Sequence, residues 1–247
     1  MMWTGACAEM RVCAATLEVR IHCEYRTLRP YLSFEVDGLR AQVFSPLPGT
    51  HWHTVFLGMD AAKAHSVRIT LETQAFSADP ESFVALLDAR TDGTLMPLAP
   101  RNRRIEFIGD SIASGEGVRG PHSFMEWLPM CFSASDNFTR LTAEKLHADI
   151  QVISQSGWGV TCGWNNDPRT NLPAVYDFIC RPAAMGVPLC CYALLEGDEQ
   201  DPAAPLDIQL ITLPYDRDQS VADARLTPKV PYIDAYIREV QTGVYSR

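Results

Sequence analysis

No cysteine framework for zinc is visible in this 247-residue sequence: its eight cysteines (Cys7, Cys13, Cys23, Cys131, Cys162, Cys180, Cys190, Cys191) form no Cys-x-x-Cys pair and no Cys/His spacing suited to the metal. Buried free thiols are the expectation, with neither a metal nor a cofactor. Long apolar runs are missing too. No stretch approaches the ~18 residues of a membrane helix, and the start, MMWTGACAEMR, lacks a basic segment leading into an apolar one. No membrane partner and a cytoplasmic location are expected. Positive charge is in deficit, with 21 Lys and Arg against 30 Asp and Glu and a net charge of -9. Because nucleic-acid affinity comes largely from cations neutralising phosphates, nucleic acid is excluded as a partner. There is no internal repeat and no low-complexity tract. The triplet Asn137-Phe138-Thr139 matches a glycosylation acceptor, a pattern common by chance that matters only in a secreted protein.

What is present is the composition of a folded globular chain, 47% hydrophobic and 21% charged, long enough for one large domain or two small ones. Up to about residue 87 the apolar residues recur at period two. Leu17, Val19 and Ile21 alternate with Glu18, Arg20 and His22; Leu32, Phe34 and Val36 run into the turn Asp37-Gly38; Val67, Ile69 and Leu71 alternate with Arg68 and Thr70. Such runs are strands with one wet face, and several of them between Pro and Gly turns predict an antiparallel, jelly-roll-like β-sandwich over residues 1–98.

The texture changes at PLAPRNRR (97–104). Beyond it come IEFI, then a helical stretch FTRLTAEKLHAD, then IQVIS. Strand alternating with helix predicts a parallel sheet in a three-layer α/β domain over residues 102–247. Near the end, Ile233, Tyr236, Ile237 and Val240 stand at helical spacing. In residues 181–206 neither period holds for long, which fits a loop or a divergent insertion.

The segment IEFIGDSIASGEG (105–117) carries the chemistry. A strand ending in Gly-Asp-Ser presents a hydroxyl, that of Ser111, at the carboxyl edge of a parallel sheet, where ligands of open α/β sheets bind. Gly109 allows the sharp turn. The next strand runs from IQVIS into QSGWGV, bringing the amide of Gly157 to the same edge as a donor for a developing oxyanion. Taken singly, each string also suits an ordinary turn.

Together, GDSIASGEG, MEWLPMCFSASDNF, TAEKLHAD, VISQSGWGV, WNNDP and NLPAVYDF resemble the SGNH (GDSL-type) hydrolases. The preceding sandwich, ending in ITLETQAF, is similar to the architecture of the family 2 carbohydrate esterases. The resemblance runs from about Thr16 to Cys180. It implies a serine esterase that deacetylates acetylated sugars or plant polysaccharides through an acyl-enzyme, with Ser111 as nucleophile and the amides of Ser111 and Gly157 in the oxyanion hole. It also implies a third-block asparagine as oxyanion donor and a histidine base in a late Asp-x-x-His block.

Those last two parts do not match. The counterpart of the third block, ITLPYDR (211–217), has Pro214 for the glycine and Asp216 for the asparagine, and an ionised carboxylate there would repel an oxyanion. Gly163-Trp164-Asn165-Asn166-Asp167 reads as a turn ending in Pro168 instead. No histidine follows His147; His122, in the loop RGPHSF, is a weak candidate base, while His22, His51, His53 and His65 fall in the sandwich. The catalytic domain is therefore expected to be incomplete and divergent after about residue 180, whether through truncation, a frameshift or degeneration, with self-association through an uncovered apolar face. Trp127, Trp158 and Trp164 are candidates to stack on sugar rings, or to serve as core. The alternative function is a non-catalytic module binding carbohydrate or protein. A thiol enzyme using Cys131 or Cys162 lacks a basic neighbourhood.

Overall fold

The computed structural model describes residues 3–123 and 126–176 and the strands at 189–196 and 207–214. The described residues are mostly strand, with few helices. In order come β1 (Cys7–Cys13), β2 (Thr16–Glu24), β3 (Leu32–Val36), β4 (Leu39–Phe44), β5 (Gly49–Leu57), β6 (His65–Leu71), β7 (Phe83–Thr91), β8 (Thr94–Met96) and β9 (Arg103–Gly109). Then follow α1 (Ser111–Ser114), α2 (Phe138–Lys145), β10 (Ala148–Ser154), β11 (Leu189–Glu196) and β12 (Asp207–Pro214). Among the described residues no helix is long and apolar enough to cross a membrane.

Two antiparallel sheets, ordered β4-β3-β6-β1-β8 and β5-β2-β7, share one buried cluster. Period-two alternation builds it. Leu17, Val19, Ile21 and Cys23 of β2 face Leu32, Phe34, Val67 and Ile69 of the larger sheet, and all are buried. Each such side chain removed from water contributes about 1.5–3 kcal/mol. Burial pushes the Cys23 thiol up to about 12, with the neighbouring Glu24 adding to the effect, so this sulfur is inert packing. The turn after β3 uses Asp37 (φ 50) and Gly38 (φ 77), the pair of left-handed residues that a two-residue hairpin demands.

The other face of the larger sheet is not wet, contrary to the period-two expectation. Ser33, Thr70 and Glu72 are buried there, covered by the segment that precedes α2. The Glu72 carboxylate accepts from the Ser135 N–H (3.0 Å), the Ser135 hydroxyl and the Ser133 hydroxyl (3.2 Å), and Arg119 lies 3.3 Å away. Asp136 takes a two-pronged grip from Arg40. Burial alone would raise the Asp136 carboxyl, but the hydrogen bonds from Arg40 and Ser133 outweigh it and hold the group below its ordinary value. Alongside, Glu9, Arg68 and Glu35 stand opposite one another on three adjacent strands, and Arg140 of α2 reaches Glu35 at 3.5 Å. The charged residues face opposite charges, so charge is matched rather than hydrated, while the buried Thr70 hydroxyl has no hydrogen-bond partner among the described residues.

β9 and β10 pair in parallel, in register from Ala148↔Arg103 to Ser154↔Gly109. β11 and β12 differ from the expected parallel arrangement: they pair with each other antiparallel, Leu189 opposite Pro214 and Glu196 opposite Asp207. Strands joined by the short residues 197–206 can form a hairpin directly, whereas a parallel partner needs a longer crossover. The C-terminal helix expected from Ile233 to Val240 lies outside the described residues.

Candidate active site

At the end of β9 the chain turns sharply into α1. Gly109 is required there, because a Cβ on it would come within 2.7 Å of the Ala113 Cβ. Asp110 caps the helix, its Oδ1 accepting from the Ile112 N–H at 3.1 Å, and Ser111 is the first helical residue. The turn closes at Gly115, left-handed at φ 76, where a side chain would collide with the Ser133 carbonyl. Bonds to Ser154 and from Asn137 help to hold this single turn. The Ser114 hydroxyl donates to the Ser154 Oγ at 2.8 Å in a buried position, and Asn137 Nδ2 donates to the carbonyls of Ile112 (3.0 Å) and Ala113 (2.8 Å). Asn137 also caps α2 through its Oδ1. It is only 4% exposed, so its side chain serves packing and is closed to glycosylation.

The second strand end joins the first directly, with the Gln155 N–H donating to the Gly109 carbonyl at 3.3 Å. The chain then passes Ser156 to Gly157, left-handed at φ 77. Ser156 is pinned from two directions: Gln74, just past β6, accepts from its N–H at 2.8 Å, and its hydroxyl bonds the Glu116 carboxylate. Phe76, Trp127 and Phe132 form an edge-to-face cluster, with ring centroids 5.5 to 6.5 Å apart, that backs one wall.

Between these elements lies a cleft of about 460 Å³ whose lining includes Ser111, Glu116, Gln155, Gly157, Trp127 and Trp164. Trp164 stands at the mouth, 86% exposed. The segment around it is a turn, as its composition predicts, with Asn166 at φ 60 and its N–H on the Gly163 carbonyl at 2.9 Å. No described residue accepts from the backbone N–H of Ser111 or Gly157, or bonds the Ser111 hydroxyl. Trp158 is not part of the lining; its N–H donates back to the Gln155 carbonyl at 3.1 Å. His122 is exposed and does not line the cleft, and Asp216 lies outside the described residues. Glu116, Gln74 and Gln155 were overlooked as lining groups, although the first and third sit inside GDSIASGEG and VISQSGWGV. Among the described residues no cluster of three or more His, Cys, Asp or Glu could hold a metal ion.

The described fold matches solved structures of carbohydrate esterases. The acetyl xylan esterase Est2A of the rumen bacterium Butyrivibrio proteoclasticus superimposes with a TM-score of 0.69 at 34% identity, covering 74% of this chain and 49% of that one. A family two carbohydrate esterase of Clostridium thermocellum shares the fold, with a TM-score of 0.65 at 24% identity over 75% of this chain and 55% of that one. In sequence, 119 residues are 33% identical to the acetylxylan esterase / glucomannan deacetylase of Cellvibrio japonicus, covering 46% of this chain and 32% of that protein. No protein-family profile matches the chain. Homologues and structural neighbours of this protein are thus family 2 carbohydrate esterases. The chain spans about a third or less of the length of the curated relatives it matches.

Proposed function

We propose that the chain is the ester-cleaving part of a carbohydrate deacetylase, with Ser111 as nucleophile. The observation that carries this reading is the meeting of Ser111 and Gly157 in one cleft, each with a backbone N–H free of described acceptors. The Ser111 Oγ attacks the acetyl carbonyl, and the two amides hold the oxyanion of the tetrahedral intermediate. The sugar alcohol leaves, an acetyl-serine remains, and water hydrolyses it to acetate and free Ser111. Substrates are acetylated sugars or plant polysaccharides, in line with the acetylxylan and glucomannan named for the relatives. The resemblance to the SGNH hydrolases implies a histidine as the base for the serine proton; the described cleft lining contains none.

That same observation favours a second reading, a module that binds saccharide without turnover, using the exposed Trp164 as a platform. One experiment separates the two: label the purified chain with a fluorophosphonate and follow aryl acetate hydrolysis, against Ser111→Ala. Labelling and turnover that vanish in Ser111→Ala establish the esterase. A folded chain with neither rules out the esterase reading.

A further inference from the structure

Gln74, Glu116 and Gln155 all line the cleft, but they are not equally committed. Gln74 Oε1 is taken by Ser156, and so is the Glu116 carboxylate. Gln155 is only 2% exposed, yet its buried Oε1 meets no hydrogen-bond partner among the described residues. A buried carbonyl without a partner costs stability, so its persistence calls for an explanation. Replacing it with an apolar side chain of similar shape would relieve the cost.

We propose that the Gln155 carboxamide is kept for the ligand and recognises a hydroxyl of a bound neutral sugar. A carboxamide both donates and accepts, as a hydroxyl does, so once a side-chain rotation turns the buried Oε1 to the cleft, one sugar hydroxyl can satisfy it. The surroundings narrow the ligand further. Trp127 and Trp164 offer aromatic surface to the C–H face of a sugar ring, and the only charged group in the described lining is the carboxylate of Glu116, which disfavours an anionic ligand. A plain aryl ester has no hydroxyl to use the site. Gln155 is then a determinant of saccharide selectivity beside Ser111, an assignment that rests on the deacetylase reading.

The test is Gln155→Met, compared with the parent chain in three measurements. Thermal unfolding is expected to shift up by about 2–4 °C, because a stranded polar group has been removed; a residue with a purely structural hydrogen bond would shift it down. Binding of an acetylated xylo-oligosaccharide, measured by calorimetry in the Ser111→Ala background to prevent turnover, is expected to weaken by about tenfold or more. The ratio of kcat/KM for the oligosaccharide to that for an aryl acetate is expected to fall by a similar factor. A lowered melting temperature, loss of folding, unchanged binding, or a parent chain that binds no saccharide overturns the inference. Fluorophosphonate labelling keeps the two ideas apart. A labelled chain whose Gln155→Met variant binds as before loses only the inference about Gln155. An unlabelled chain whose saccharide binding depends on Gln155 loses only the serine mechanism.

Discussion

Gly157 and Trp164 are locked together: the Trp164 N–H donates to the Gly157 carbonyl at 2.8 Å, and a Cβ at position 157 would come within 2.5 Å of the Trp164 Cδ1. The same glycine holds φ 77, where a side chain costs about 1–2 kcal/mol. Gly157→Ala is therefore expected to destabilise the chain by at least that amount and to displace both the amide and the indole. In the proposed mechanism this displaces one oxyanion donor, and turnover is expected to fall by on the order of 10². Melting temperature and kcat/KM on an aryl acetate check the two effects.

Asn137 ties α1 to α2 through three hydrogen bonds, two given by its amide to the Ile112 and Ala113 carbonyls and one accepted as a helix cap. Asn137→Ala leaves the two carbonyls stranded and removes the cap. A loss of about 2–4 kcal/mol is expected, read as a lower denaturant midpoint. Activity should fall as well, because the turn that carries Ser111 is no longer braced.

Acid sensitivity is expected to centre partly on Asp79. Its Oδ2 accepts from the backbone N–H groups of Arg26 (2.9 Å), Thr27 (2.7 Å) and Leu28 (2.8 Å), which fixes the loop that brings Leu28 to the cleft. Burial would raise this carboxyl, but the backbone donors outweigh it and hold it below its ordinary 3.8. A depressed carboxylate contributes stability that is present above the unfolded value and lost as pH falls through the folded one. The melting temperatures of the parent chain and Asp79→Ala should therefore differ near neutrality and converge toward strong acid.

His65 should act in the opposite direction. Its Nδ1 lies 2.7 Å from the Asp37 carboxylate and its Nε2 3.0 Å from the Asp60 carbonyl, and these bonds raise it above the ordinary 6.5. A raised histidine contributes stability that is complete below the unfolded value and lost as pH climbs through the folded one. Comparing His65→Gln with the parent chain between about pH 6 and pH 9, the gap in melting temperature should narrow toward the alkaline end.

The legible parts of this molecule were those with a local signal. Leu17, Val19 and Ile21 announce β2 by alternation, and the pattern of FTRLTAEK places α2. That Ser111 and Gly157 come to one sheet edge was readable because each follows a strand end, where backbone geometry dictates what can be presented. What misled was polarity. Ser33, Arg68 and Thr70 alternate like solvent-facing residues, yet they meet Ser135, Glu9 and the segment before α2, partners about 60 to 100 positions away that no local pattern reports. Gln74 escaped for the same reason: its place in the cleft depends on Ser156, far along the chain. The pairing of β11 with β12 was equally invisible, since over residues 181–206 neither period holds long enough to mark a strand.

The covered face of the larger sheet also bears on how the chain is made. Strands β1 to β8 leave the ribosome before Ser133, Ser135 and Arg140 exist to cover Glu72, Ser33 and Glu35. An apolar face waiting that long would invite aggregation during synthesis. Because the waiting surface is built of carboxylates, guanidiniums and hydroxyls, water can tend it in the interval, and the later segment then displaces that water with matched groups.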